Sequence, residues 1–124
     1  MNINWTGPYP GPKKVTVKEV NQMFDVTHKK LARGTILKVL NIGQPQPVPA
    51  HVIDICLIQR GLPMTESFLE SQLQYLVDKG YIETQDTCFE KAENPVLTVR
   101  LKAKGIDLLE HSIEEDPGII IPRE

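Results

Sequence analysis

Between Pro49 and Leu101 the chain reads as helix, tight turn, helix, strand, loop and strand. Each helical stretch carries an apolar stripe at helical spacing, and the strand stretches alternate apolar with polar residues. That order predicts a mainly α fold with a small β-hairpin, a winged helix-turn-helix of the α+β class.

The first helix of the motif covers Ala50 to Arg60, with Val52, Ile53, Cys56 and Leu57 on one stripe. Pro49 suits its start, and Gly61 suits a left-handed cap at its end. Pro63 then prevents simple continuation, because it lacks an N–H and clashes with the preceding turn. Thr65 is the expected N-cap of the second helix, with Met64 and Leu69 placed as a hydrophobic staple across it. That helix runs from Glu66 to Lys79 and stops at Gly80. Leu69, Leu73 and Leu76 fall on its inner face, flanked by Phe68 and Val77. Ser67, Ser71, Gln74 and Asp78 fall on the outer face, with Glu70 at its margin.

Tyr81 to Thr87 and Pro95 to Leu101 read as the two strands of the wing, and 88–94 as its tip. Ahead of the motif, residues 1–15 form a Pro-rich arm in which Trp5 and Tyr9 are fit to dock on a neighbour. Val17, Val20 and Phe24 predict a short helix. Leu31, Ile36, Leu37 and Leu40 predict a second, capped by Thr27 and weakened by Gly34. One longer helix through both is the open alternative. Residues 43–49 read as a loop because of their prolines. After the wing, Ala103 to His111 reads as a final helix. Lys102 is a poor cap for it, so packing of Ile106, Leu108 and Leu109 must hold it. Asp116-Pro117-Gly118 is a turn, and Ile119-Ile120-Ile121 should dock on its own domain or on a partner. The expected organisation is therefore an arm over 1–15, a winged-helix domain over 16–112 and a tail over 113–124.

Composition narrows the function. The length, 124 residues, suits one compact domain. No run reaches the roughly 18 apolar residues of a membrane helix, and no basic segment followed by an apolar core opens the chain, so neither a membrane partner nor a secretion signal is expected. Cys56 and Cys88 lack CxxC spacing and read as free thiols of a reducing cytoplasm. His28, His51 and His111 lie far apart, without ligand partners at helical spacing, so no metal is expected. No glycine-rich phosphate loop and no catalytic cluster are present, so neither a cofactor nor an enzyme is expected. Charge is uneven. Residues 1–34 hold six Lys or Arg against two acids, and residues 83–124 hold five against ten. This is the pattern of a basic arm and an acidic tail.

For a winged helix the outward face of the second helix is the one that enters the major groove. Ser67, Ser71 and Gln74 can hydrogen-bond to base edges. Lys79, the first cation on that helix, completes the DNA-binding set with Lys91 and Arg100 on the wing, which would meet phosphates. Lys13, Lys14, Lys18, Lys29, Lys30 and Arg33 add a basic flank. Glu70 and Asp78 oppose this, since phosphate neutralisation supplies most non-specific affinity.

Val99-Arg100-Leu101-Lys102-Ala103-Lys104-Gly105-Ile106-Asp107-Leu108-Leu109-Glu110 resembles the strand-to-helix segment "RLTARGLDvaEG" of small winged-helix proteins encoded in Mu-like prophages. Pro117-Gly118-Ile119 and Pro122-Arg123 resemble that family's ending. Leu73, Leu76, Gly80 and Tyr81 fit its second helix. The resemblance spans about 33–123. It departs at Lys102, where the family carries a Thr cap, and in the longer Pro-rich lead. It implies a phage setting rather than a mechanism. The resulting expectation is a homodimeric, cytoplasmic, winged-helix regulator that binds double-stranded DNA. The alternative is a phage protein–protein adaptor with the same fold and no groove contact.

Overall fold

A computed structural model describes residues 17–87 and 96–123. Four helices and three strands follow in the order α1 (Val17–Gly43), β1 (Val48–Pro49), α2 (Ala50–Gln59), α3 (Glu66–Asp78), β2 (Ile82–Thr87), β3 (Val96–Leu101) and α4 (Ala103–Leu109). This is the expected winged helix-turn-helix, with two additions. The stretch before α2 is not all loop, because Val48 and Pro49 form a strand against Val99 and Thr98. The hairpin therefore becomes a three-stranded antiparallel sheet in the order β1-β3-β2. Pro49 is tolerated there because β1 is an edge strand.

The region before the sheet is one helix of 27 residues rather than two. Its length is roughly 40 Å at 1.5 Å per residue. Between Ala32 and Leu40 almost every position is buried, so α1 is the central post of the domain. Ile36, Leu37 and Leu40 pack in one core with Ile53 and Leu57 of α2, Leu69, Leu73 and Leu76 of α3, Val99 of β3 and Leu108 of α4. Gly34 sits inside α1 because the tail crosses there. A Cβ at Gly34 would run into the Ile120 carbonyl, and the Ile120 N–H donates to the Lys30 carbonyl at 3.1 Å. The Ile119–Ile121 run thus docks on its own domain, with Ile119 buried.

Local chemistry sets the helix ends. The Thr65 side chain accepts from the Phe68 N–H at 3.2 Å, the cap expected for α3. Gly61 and Gly80 both take left-handed φ, 75° and 82°. Each closes its helix with the paired bonds of a Schellman motif: Leu62 N–H to Leu57 O with Gly61 N–H to Ile58 O, and Tyr81 N–H to Leu76 O with Gly80 N–H to Val77 O. α4 ends in the same way through Ser112 and His111, although His111 must take a φ of 60° to do so. It is shorter than expected, because His111 belongs to this cap. Lys102 gives no side-chain cap, and Leu108 is fully buried, so packing does hold α4.

Two glycine substitutions separate backbone strain from crowding. Nothing lies within 4 Å of a Cβ added at Gly61, so Gly61→Ala should cost about 1 kcal/mol from its left-handed φ alone. Gly34→Ala gains helix propensity, yet it must push the tail off α1. In denaturant unfolding it should be the more destabilising of the two. In hydrogen exchange it should strip protection from the Ile120 amide, which Gly61→Ala leaves in place.

Candidate nucleic-acid interface

The α3 helix buries one face and leaves another open. Leu69, Leu73 and Leu76 fix it to the core, leaving Glu66, Ser67, Glu70, Ser71, Gln74 and Asp78 exposed. Ser67, Ser71 and Gln74 therefore share one face, as their spacing requires. They are occupied with one another's helix. The Ser71 hydroxyl donates to the Ser67 carbonyl at 3.1 Å, and the Gln74 amide nitrogen donates to Asp78 Oδ1 at 2.8 Å. Both bonds are exposed, so each can be exchanged for a ligand at little cost.

The three expected cations are placed differently. Lys79 turns away from that face. Its ammonium lies 3.5 Å from Asp116 Oδ2 and 5.7 Å from the centroid of the Tyr75 ring. Arg100 stands at the base of the hairpin, opposite Glu83, with Nε 3.8 Å from Glu83 Oε1. It lies four positions along the strand from the last ladder pair, Thr87 with Val96, roughly 13 Å. Lys91 lies outside the described residues, as do the Pro-rich arm and Cys88. A different cation flanks α3. The Lys29 ammonium is 6.0 Å from the Phe68 ring centroid, and His28 meets that ring edge-on, beside the first turn of the helix.

Sequence reasoning missed the polar cluster that orients α3. The Arg33 guanidinium stacks on the Tyr75 ring at 3.6 Å. Its Nε donates to Gln72 Oε1 at 2.9 Å, and its Nη1 to the Gly118 carbonyl at 3.0 Å. A Cβ at Gly118 would strike the Tyr75 hydroxyl oxygen, so any larger residue there has to displace the Tyr75 ring. Beside it, Asp116 accepts from the Tyr81 hydroxyl at 2.7 Å and from the Gly118 N–H at 2.8 Å. Gln72 was the available signal: it sits on the Leu69-Leu73-Leu76 stripe and is 2% exposed. At the end of the helix, Lys104 Nζ donates to the Lys79 carbonyl at 3.0 Å, a cation at the negative pole of α3.

Burial pushes the Tyr81 hydroxyl up to about 12, helped by its bond to the Asp116 carboxylate. Burial also works to raise Asp116. The Tyr81 hydroxyl, the Gly118 N–H and the Lys79 ammonium outweigh it and hold the carboxyl below the ordinary carboxylate range. Among the described residues no three His, Cys, Asp or Glu are grouped to hold a metal ion, and no helix is long and apolar enough to cross a membrane. His51 and His111 are exposed.

No protein-family model and no curated protein matches the chain. Among solved structures it is similar to an X-ray structure of a PadR-like transcription factor from Bacteroides fragilis. The TM-score is 0.60 at 19% identity, over 73% of this chain and 84% of that one. At that identity the likeness shows the fold, a winged helix.

The Asp116 cluster predicts two pH limbs. A carboxyl with a depressed folded pKa adds stability that is present above the unfolded value, 3.8, and is lost as pH falls through the lower folded value. A hydroxyl with a raised folded pKa adds stability that is present below 10 and is lost as pH rises toward about 12. Thermal melts should show Asp116→Asn flattening the acid limb and Tyr81→Phe flattening the alkaline one. Melts of Asp116→Asn that keep the wild-type acid limb would remove Asp116 from the clamp.

Proposed function

We propose that this chain is a winged-helix DNA-binding protein that regulates transcription, with α3 in the major groove. The observation that carries the reading is the exposed polar face of α3, on a fold like that of a PadR-like transcription factor. Ser67, Ser71 and Gln74 are the residues that read base edges there, with the Gln74 amide exchanging Asp78 for a base. Glu70 can accept from the amino group of cytosine. Lys29, beside the first turn, and the wing residues Lys91 and Arg100 meet phosphates, and Lys79 joins them when it leaves Asp116.

Carboxylates on the reading face lower affinity for every sequence alike, so binding leans on base contacts more than is usual. A homodimer supplies the second set of contacts and matches a two-fold operator. The resemblance to Mu-like prophage proteins supports a phage setting, and the spacing of Cys56 and Cys88, which reads as free thiols, supports a cytoplasmic site of action.

A second reading has its own support. Glu66, Glu70 and Asp78 crowd the face, while Lys79 and Arg100 are engaged by carboxylates. That arrangement suits an adaptor that uses α3 to hold a basic protein surface.

Fluorescence anisotropy with duplexes from the neighbouring genome, at low and physiological salt, decides between them. The DNA reading expects one duplex to be preferred at physiological salt. Replacing Ser67, Ser71 and Gln74 together by Ala should cut that preference at least about tenfold, since a bidentate contact such as Gln74 can make carries about 1–3 kcal/mol. Glu70→Gln should tighten binding to non-cognate duplexes. Absence of binding even at low salt would sink the DNA reading and leave the adaptor.

A further inference from the structure

A cleft of about 510 Å3 is walled by α1, the end of α4 and the tail, and none of the α3 reading residues lines it. That size lies within the range of small-molecule sites, which run from about 300 to 1,000 Å3. Leu108, Ile119 and Ile121 give it an apolar wall, and Lys38, His111 and Arg123 stand around it.

Three features go beyond shape. Lys38 is half-buried, and it makes no hydrogen bond or ion pair with any described residue. An anion in the cleft can pair with it. The acids of the cleft do not do so. Both Asp116 oxygens are occupied, by Tyr81, Gly118 and Lys79, and Glu115 is exposed. The third feature is His111. It holds a left-handed φ of 60° at a capping position where glycine would be unstrained, and so places an imidazole at the cleft.

We propose that this cleft binds a small apolar monocarboxylate, with the carboxylate on Lys38, Arg123 and His111 and the hydrocarbon against Leu108, Ile119 and Ile121. The site does not depend on the DNA reading. Its position gives an occupant leverage on α3, because the tail that lines the cleft is the segment that Arg33 and Lys79 fasten beside that helix.

Amide-resolved NMR titration of the full chain with octanoate and with 1-naphthoate, each against its uncharged amide, tests this. At least one carboxylate should shift Lys38, Leu108, His111 and Ile119, and its amide should bind at least about tenfold more weakly. Lys38→Met should weaken the carboxylate about tenfold and leave the amide unchanged. Arg123→Gln, on the exposed tail, provides the same comparison should Lys38→Met disturb the fold. The proposal is overturned by an absence of shifts up to about 10 mM, by equal affinity for acid and amide, or by shifts centred elsewhere.

Discussion

The Arg33 side chain joins three pieces of chain that are far apart in sequence. Its planar guanidinium lies on Tyr75 of α3, bonds Gln72 of the same helix, and reaches the Gly118 carbonyl in the tail. Lysine cannot make this contact, because stacking and two diverging donors need the planar fork. The consequences spread outward. With Gln72 satisfied, a polar side chain can sit on the apolar stripe of α3 without penalty. With Gly118 held against Tyr75, Asp116 is brought to Tyr81 and Lys79, and Ile119 enters the core. The rotation of α3 about its axis, and so the choice of residues it shows to solvent, is set by this contact together with the leucines beneath.

The parts of this structure that were legible from sequence are those decided by local chemistry. Thr65 caps α3 because its hydroxyl reaches an N–H three residues on, and Gly61 and Gly80 end helices because a left-handed residue is needed there. These are interactions within one or two turns, so the residues that make them are neighbours in sequence. β1 was hidden for the opposite reason. Val48 and Pro49 lie among prolines that suggest a loop, and their strand character comes only from pairing with Val99 and Thr98, fifty residues away. α1 as a single helix was left open because Thr27 reads as a cap between its two apolar stretches, and Gly34 weakens the second stretch on local grounds. The close passage of Ile120, which calls for a glycine, is a tertiary fact.

The candidate interface divides along the same line. Ser67, Ser71 and Gln74 sit together as their spacing requires, since a helix fixes which residues share a face. The fate of Lys79 and Arg100 depended on partners the spacing does not reveal. Asp116 lies 37 positions beyond Lys79 and arrives through the tail, and Glu83 meets Arg100 through the strand register. Cations that look available in a list of residues thus already stand beside carboxylates, Lys79 at the buried Asp116 and Arg100 at the exposed Glu83. What remains on α3 is a polar, acid-rimmed surface, suited to a partner that offers hydrogen bonds more than bulk charge.

The central claim is that this surface reads a sequence. The most direct measurement is selection of bound duplexes from a random pool, followed by sequencing. The account predicts enrichment of a defined motif with two inverted half-sites about 10 base pairs apart, as expected of a symmetric pair of reading helices. A bound pool that stays as random as the input would contradict it.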